Sequence, residues 1–175
     1  MTIKEASSIF HLEEREDPLV LWYREGAFKI PEAVKEKRKK VYELIERKEY
    51  DLKGKLPEGV ESIRVVFSKG VLYQIRIRYT KNYFRKVSWN LFISPAVKKY
   101  GRPSGRSRVN SDIHQSLAYH WLDEKTELEI KKTDNFTKEA VFINTTYDVF
   151  YTDTATNNFV SKLMNTLAVT EVTNE

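Results

Sequence analysis

A chain of 175 residues, 41% hydrophobic and 31% charged, is long enough to bury one core and short for two ordinary domains, so a single globular domain spanning 1–175 is expected. It contains no cysteine, which excludes disulfides, thiolate nucleophiles and cysteine-ligated zinc. Its formal charge of +5 is unevenly spread, at −2 over residues 1–30, +13 over 31–108 and −6 over 109–175 when Lys and Arg are counted against Asp and Glu. The basic middle therefore meets either an external anion or the acidic C-terminal third.

Residues 1–48 read as mainly helical. Thr2 and Glu5 have the spacing of a capping box, and Ile3, Ala6, Ile9 and Phe10 recur at helical intervals, predicting a short helix that stops by Pro18. Residues 18–30 take no assignment. Pro31 suits a first helical turn, and Val34, Val41, Leu44 and Ile45 mark one face of a helix running to about Lys48. Met1 to Phe10 lacks the basic start, apolar run and cleavage site of a secretory signal, and no apolar stretch approaches the ~20 residues of a spanning helix. As written the chain reads as soluble: periplasmic or envelope-associated if a signal has been trimmed, otherwise cytoplasmic.

From 49 to 153 the period changes to 2, as in strands. Tyr50, Leu52 and Leu56 alternate with polar neighbours, and Leu56-Pro57-Glu58-Gly59 supplies a turn. Ile63–Phe67, a Ser68-Lys69-Gly70 connection and Val71–Tyr79 form a hairpin, with Val71, Tyr73, Ile75, Ile77 and Tyr79 on one face and Leu72, Gln74, Arg76 and Arg78 on the other. A helix is inserted at 81–100, with Pro95 expected to kink or restart it and Gly101 to end it. Gly101 to Asn110 reads as an exposed Arg-rich loop. Leu117–Leu122 and Thr126–Lys131 flank a turn at Asp123-Glu124-Lys125, and a strand follows over Val141–Tyr151 that Asn144-Thr145-Thr146 could divide. Asp153 or Thr154 caps a closing helix over 154–168, striped by Ala155, Phe159, Val160, Leu163, Met164 and Leu167, with fraying from Thr170. The predicted class is α+β: a meandering antiparallel sheet of five or six strands, with two to four helices packed mainly on one face.

The strongest functional signal is the window from Ser62 to Ser111, which holds twelve Lys and Arg, eight aromatic residues and no Asp or Glu. Such a composition suits phosphate neutralisation and base stacking. Lys81, Arg85, Lys86, Lys98, Lys99, Arg102, Arg106 and Arg108 are the candidate anion-binding residues, and Tyr79, Tyr83, Phe84, Trp89 and Tyr100 the candidate platforms. Arg76 and Arg78 are set aside as expected cross-strand partners of Glu127 and Glu129. The run Lys35, Lys37, Arg38, Lys39 and Lys40 reads as a solvated helix face, with Glu36 placed to pair with Lys40.

His11, His114 and His120 are the only histidines. On one strand, His114 and His120 would share a face about 20 Å apart, too far for one metal, whereas with Asp112 to Gln115 still in loop they could approach. No third ligand has recognisable spacing, so neither metal nor cofactor is expected. Glu129-Ile130-Lys131, preceded by Asp123, imitates half of a metal-dependent nuclease site but suits a wet strand equally. No GxSxG, GxxxxGK[ST], GxGxxG or HExxH motif occurs.

Three segments carry a resemblance: Phe67-Ser68-Lys69-Gly70-Val71-Leu72-Tyr73-Gln74-Ile75, Lys98-Lys99-Tyr100-Gly101-Arg102-Pro103 and Trp121-Leu122-Asp123-Glu124-Lys125-Thr126. Over roughly residues 60–153 the chain resembles small bacterial envelope, lipoprotein-like domains with an F-x-x-G-x-L-Y-x-I hairpin, a helix ending Y-G-x-P and a W-x-D/E-x-x-T hairpin. It departs from them in showing no signal and no lipobox cysteine. The resemblance implies export and a binding or assembly role without naming a ligand; the partner is unidentified, with another protein or an anionic surface the classes considered. Three functions follow: a non-enzymatic binding or assembly domain; a nucleic-acid or polyanion binder using the 62–111 window, the less favoured partner class; and a hydrolase around His114 and His120 with Asp112 and Asp123.

Overall fold

The computed structural model describes residues 1–15, 32–81 and 83–172. The segment 18–30 and Pro31 lie outside the described residues, as do the side chains of Val34, Lys35, Lys37, Arg38, Met164 and Leu167. Helix α1 (Ile3–Ile9) starts at the expected capping box, in which Thr2 Oγ1 accepts from the Glu5 N–H and the Glu5 carboxylate accepts from the Thr2 N–H at 2.7 Å. Strand β1 (His11–Arg15) follows at once, earlier than the helix limit expected from Pro18. Helix α2 (Glu32–Ile45) ends at Glu46, whose φ of 45° lets the chain turn into strand β2 (Arg47–Lys53). Strands β3 (Val60–Ser68) and β4 (Val71–Tyr79) form the anticipated hairpin. Lys69 and Gly70, at φ 49° and 73°, give the doubly left-handed turn that matches strand twist.

The predicted 81–100 helix is two pieces, α3 (Tyr83–Lys86) and α4 (Trp89–Tyr100), because Ser88 caps a new start rather than continuing the first. Pro95 lies within α4 and does not break it. The expected loop at 101–110 contains strand β5 (Gly105–Asn110), paired antiparallel with β6 (His114–Leu122). Strand β7 (Thr126–Phe136) and the unbroken β8 (Phe142–Asp153) follow, and α5 (Thr154–Val172) runs beyond the expected fraying point. Asp153 caps it by accepting the Thr156 N–H at 2.8 Å.

The described strands form one eight-stranded antiparallel sheet in the order β1-β2-β3-β4-β8-β7-β6-β5, so the α+β antiparallel class holds while five or six strands is too few. The undercount comes from β1 and β5, short polar edge strands in which only Leu12 and Gly105, one residue each, are partly withdrawn from solvent, so that their composition lacks a core-facing signature. Among the described residues no helix is long and apolar enough to cross a membrane.

The chain divides into two compact units: residues 1–53, 64–74 and 153–175, and residues 54–63 and 75–152. The first has a core of Val41 and Ile45 from α2, Val66, Tyr73 and Val160, with Leu163 packed against it. On its strands Glu49, 5% exposed, lies beside both Arg47 and Arg64. The second unit seats Ala96 of α4 on Trp121, Leu128, Ile130 and Val149. Within it Gly59 sits at φ +82°, and a Cβ there would overlap the Tyr83 ring. Gly59→Ala is expected to destabilise the fold by about 2–3 kcal/mol. Gly70→Ala, with a similar φ but open space around it, should cost about 1 kcal/mol, a contrast that urea unfolding of the two variants would read.

Candidate functional site

Alternation along β4, β6, β7 and β8 sorts the second unit into an aromatic face and a polar one. On the aromatic face, Tyr79, Tyr83, Phe92, Trp89, Tyr119 and Tyr147 pack ring on ring at centroid separations of 4.5 to 6.2 Å. Three of the five candidate stacking platforms, Tyr79, Tyr83 and Trp89, are therefore spent on packing, and Phe84 meets Phe142. Burial pushes the Tyr79, Tyr147 and Tyr151 hydroxyls above their ordinary values. Trp121 donates its Nε1–H to the Gly101 carbonyl at 2.9 Å, fastening the exit of α4 to β6. Beside it lie two adjoining depressions of about 300 and 220 Å³ that share Tyr100, Leu128 and Tyr151.

The polar face is built from even-numbered residues of β4, β6 and β8 and odd-numbered residues of β7. The Asp148 carboxylate, 3% exposed, accepts from Arg76 Nε and Nη2 at 3.3 and 3.2 Å and from Arg78 Nε and Nη2 at 2.9 and 3.4 Å. These arginines thus pair with Asp148 on β8, and the expected partnership with Glu127 and Glu129 is corrected. Strand order is the reason: β8 lies between β4 and β7. The Arg76 guanidinium also rests 5.1 Å from the centre of the Phe150 ring.

Around this triad runs an open depression of about 450 Å³ that also takes in Lys81, His114, Lys131, Asn135 and Asn144. The β6–β7 register sets Ala118 opposite Lys131, Ser116 opposite Thr133 and His114 opposite Asn135. The depression's four Lys and Arg side chains face one carboxylate. Polar side chains between them are held by Ser116–Thr133 and Asn135–Asn144 hydrogen bonds of 3.1 and 2.8 Å.

Further along the same strands His120 sits directly opposite Glu129, with Glu127 diagonal to it. Its Nδ1 lies 2.9 Å from Glu127 Oε1 and 3.8 Å from Glu129 Oε2, and its Nε2 lies 3.0 Å from Ser107 Oγ on β5. Burial raises the Glu129 carboxyl above its ordinary value, with the neighbouring Glu127 and Asp148 adding to the shift and His120 and Lys131 opposing it.

The eight sequence candidates do not converge. Lys81 alone of them lines the polar depression. Arg85 lies over Phe84, and Lys86 reaches Glu58 at 3.4 Å in an exposed pair. Lys98 and Lys99 occupy the last turn of α4, where Lys99 is held above its ordinary value by a hydrogen bond to Tyr100. Arg102 borders the Trp121 depression, Arg106 stacks over Tyr119, and Arg108 is exposed on β5. The proposed hydrolase set does not assemble either: six residues on one strand put His114 and His120 about 20 Å apart. Asp123 instead accepts the Lys125 and Thr126 N–H groups at the β6–β7 turn, bonds that hold its carboxyl below the usual range. Comparison with known protein families, curated proteins and solved structures gave no match for this chain.

Proposed function

We propose that the chain is a non-enzymatic binding domain that takes an anionic ligand on the polar face of its second unit. The observation that supports this is the depression in which Arg76, Arg78, Lys81 and Lys131 outnumber the single carboxylate of Asp148. Asp148 pre-positions both guanidiniums without cancelling them, since two cations share one anion. Amide and hydroxyl groups of Asn135, Asn144 and Thr133 can satisfy the oxygens of a phosphate, sulfate or carboxylate. An exported, envelope-associated setting belongs to the same proposal and rests on the motifs around Phe67, Tyr100 and Trp121.

Titration with a sulfated hexasaccharide and a single-stranded oligonucleotide at several salt concentrations tests the reading. Affinity should fall linearly on a log–log plot against salt, and Lys81→Gln with Lys131→Gln should each weaken binding several-fold and flatten the slope by about one. Arg106→Gln and Arg108→Gln should leave it unchanged. Absence of binding at low salt, or a loss confined to the Arg106 and Arg108 variants, would sink the proposal.

A further inference from the structure

We propose that His120, Glu127 and Glu129 form a site for one divalent transition-metal ion, with zinc the best match to the donor set. The inference stands apart from the anion-binding reading. One ligand atom from each residue, an imidazole nitrogen and two carboxylate oxygens, lies within 4.8 Å of the others. Two donors bound to zinc at ~2.0–2.1 Å with tetrahedral splay sit about 3.3 Å apart. The observed separations of 2.9 and 3.8 Å from His120 Nδ1 bracket that spacing, so small side-chain rotations suffice and the backbone need not move.

The scaffold is two paired strands rather than a loop. Register places His120 across from Glu129, and period-2 alternation brings Glu127 to the same face. The ring is also oriented for the task. Ser107 Oγ stands 3.0 Å from Nε2, so the tautomer that donates from Nε2 to Ser107 turns the Nδ1 lone pair toward the two carboxylates, the arrangement by which a supporting group tunes a ligating histidine.

Charge agrees with geometry, because two carboxylates and a neutral imidazole carry −2 against the ion's +2. The imidazole favours zinc and its transition-metal neighbours over calcium or magnesium. With side-chain exposures of 22% for His120, 33% for Glu127 and 29% for Glu129, the site can be entered from solvent, and three protein ligands leave a fourth position for water or an anionic group.

Calorimetric titration of the full chain with zinc chloride, alongside the visible absorption of added cobalt(II), decides the matter. One ion per chain is expected, with tetrahedral cobalt absorption. His120→Ala, Glu127→Gln and Glu129→Gln should each weaken binding at least about 10-fold, and Ser107→Ala by about 10-fold as the loss of a supporting contact. His114→Ala and His11→Ala should bind as the parent does. Isosteric Glu127→Gln and the exposed-face Ser107→Ala guard against misreading an unfolded variant, since far-ultraviolet circular dichroism of the metal-free proteins should match the parent. No stoichiometric binding at about 100 μM zinc, binding retained in His120→Ala, or binding lost in His114→Ala would each overturn the assignment.

Discussion

Replacing Asp148 by alanine is expected to lower the unfolding free energy by about 3–5 kcal/mol, the usual cost of removing one partner from a buried ion pair. The carboxylate is 3% exposed and is the shared acceptor for four guanidinium N–H groups of Arg76 and Arg78. Its loss leaves two cations side by side on a half-buried strand. Asp148→Asn preserves shape and one acceptor oxygen, so it should fall between alanine and the parent. The charge logic gives a second readout: with the carboxylate gone, an external anion can take its place, and added phosphate should restore part of the lost stability in Asp148→Ala, a larger gain than anion binding gives the parent. Urea unfolding with and without phosphate measures both quantities. A loss under about 1 kcal/mol would mean that solvent already screens the triad.

Truncating Trp121 to alanine is the other large effect expected, at about 3–5 kcal/mol for an aromatic core residue. The side chain is 6% exposed and packs with Ala96, Leu128, Ile130 and Val149. It also donates to the carbonyl of Gly101, the C-cap of α4 whose φ of 79° suits glycine. Trp121→Phe keeps most of the packing and loses the N–H, so about 1–2 kcal/mol is expected. Amide hydrogen exchange along β6 and β7 reads the effect locally, which matters in a chain with two compact units. Protection unchanged in Trp121→Ala would place the centre of this core elsewhere.

Much of the fold is legible in the residues. The capping box at Thr2 and Glu5, the turn at Lys69-Gly70, the Asp153 cap and the alternation through β4 and β8 are local signals, each decided by neighbours in the chain. The misses have two causes. Strands β1 and β5 are polar edge strands, and nothing local distinguishes Gly105–Asn110 from an Arg-rich loop until β6 lies beside it. At Ser88 the side chain caps a fresh helix start, which interrupts a stretch whose apolar spacing looks continuous.

The candidate sites depended still more on strand order. Arg76 and Arg78 were recognisable as a polar row facing an acidic partner, but which partner depends on β8 lying next to β4. Chain spacing sets His114 and His120 too far apart for one metal and marks Glu129 only within Glu129-Ile130-Lys131; that His120 faces Glu127 and Glu129 has no characteristic interval, because these residues meet across paired strands. Lys131 likewise drew notice only as part of a Glu-Ile-Lys tripeptide.

The sequence by itself determined the class of the protein, the period of each long element, most of the caps and turns, and the existence of a cationic middle without thiol chemistry. These follow from propensities and periodicities that act over a few residues. Tertiary structure alone decided that Asp148 lies under two arginines, that His120 faces two glutamates, and that most of the candidate aromatic platforms belong to a core. Those outcomes turn on which strands are neighbours and in what register, and one step of register would carry every one of these side chains to the opposite face.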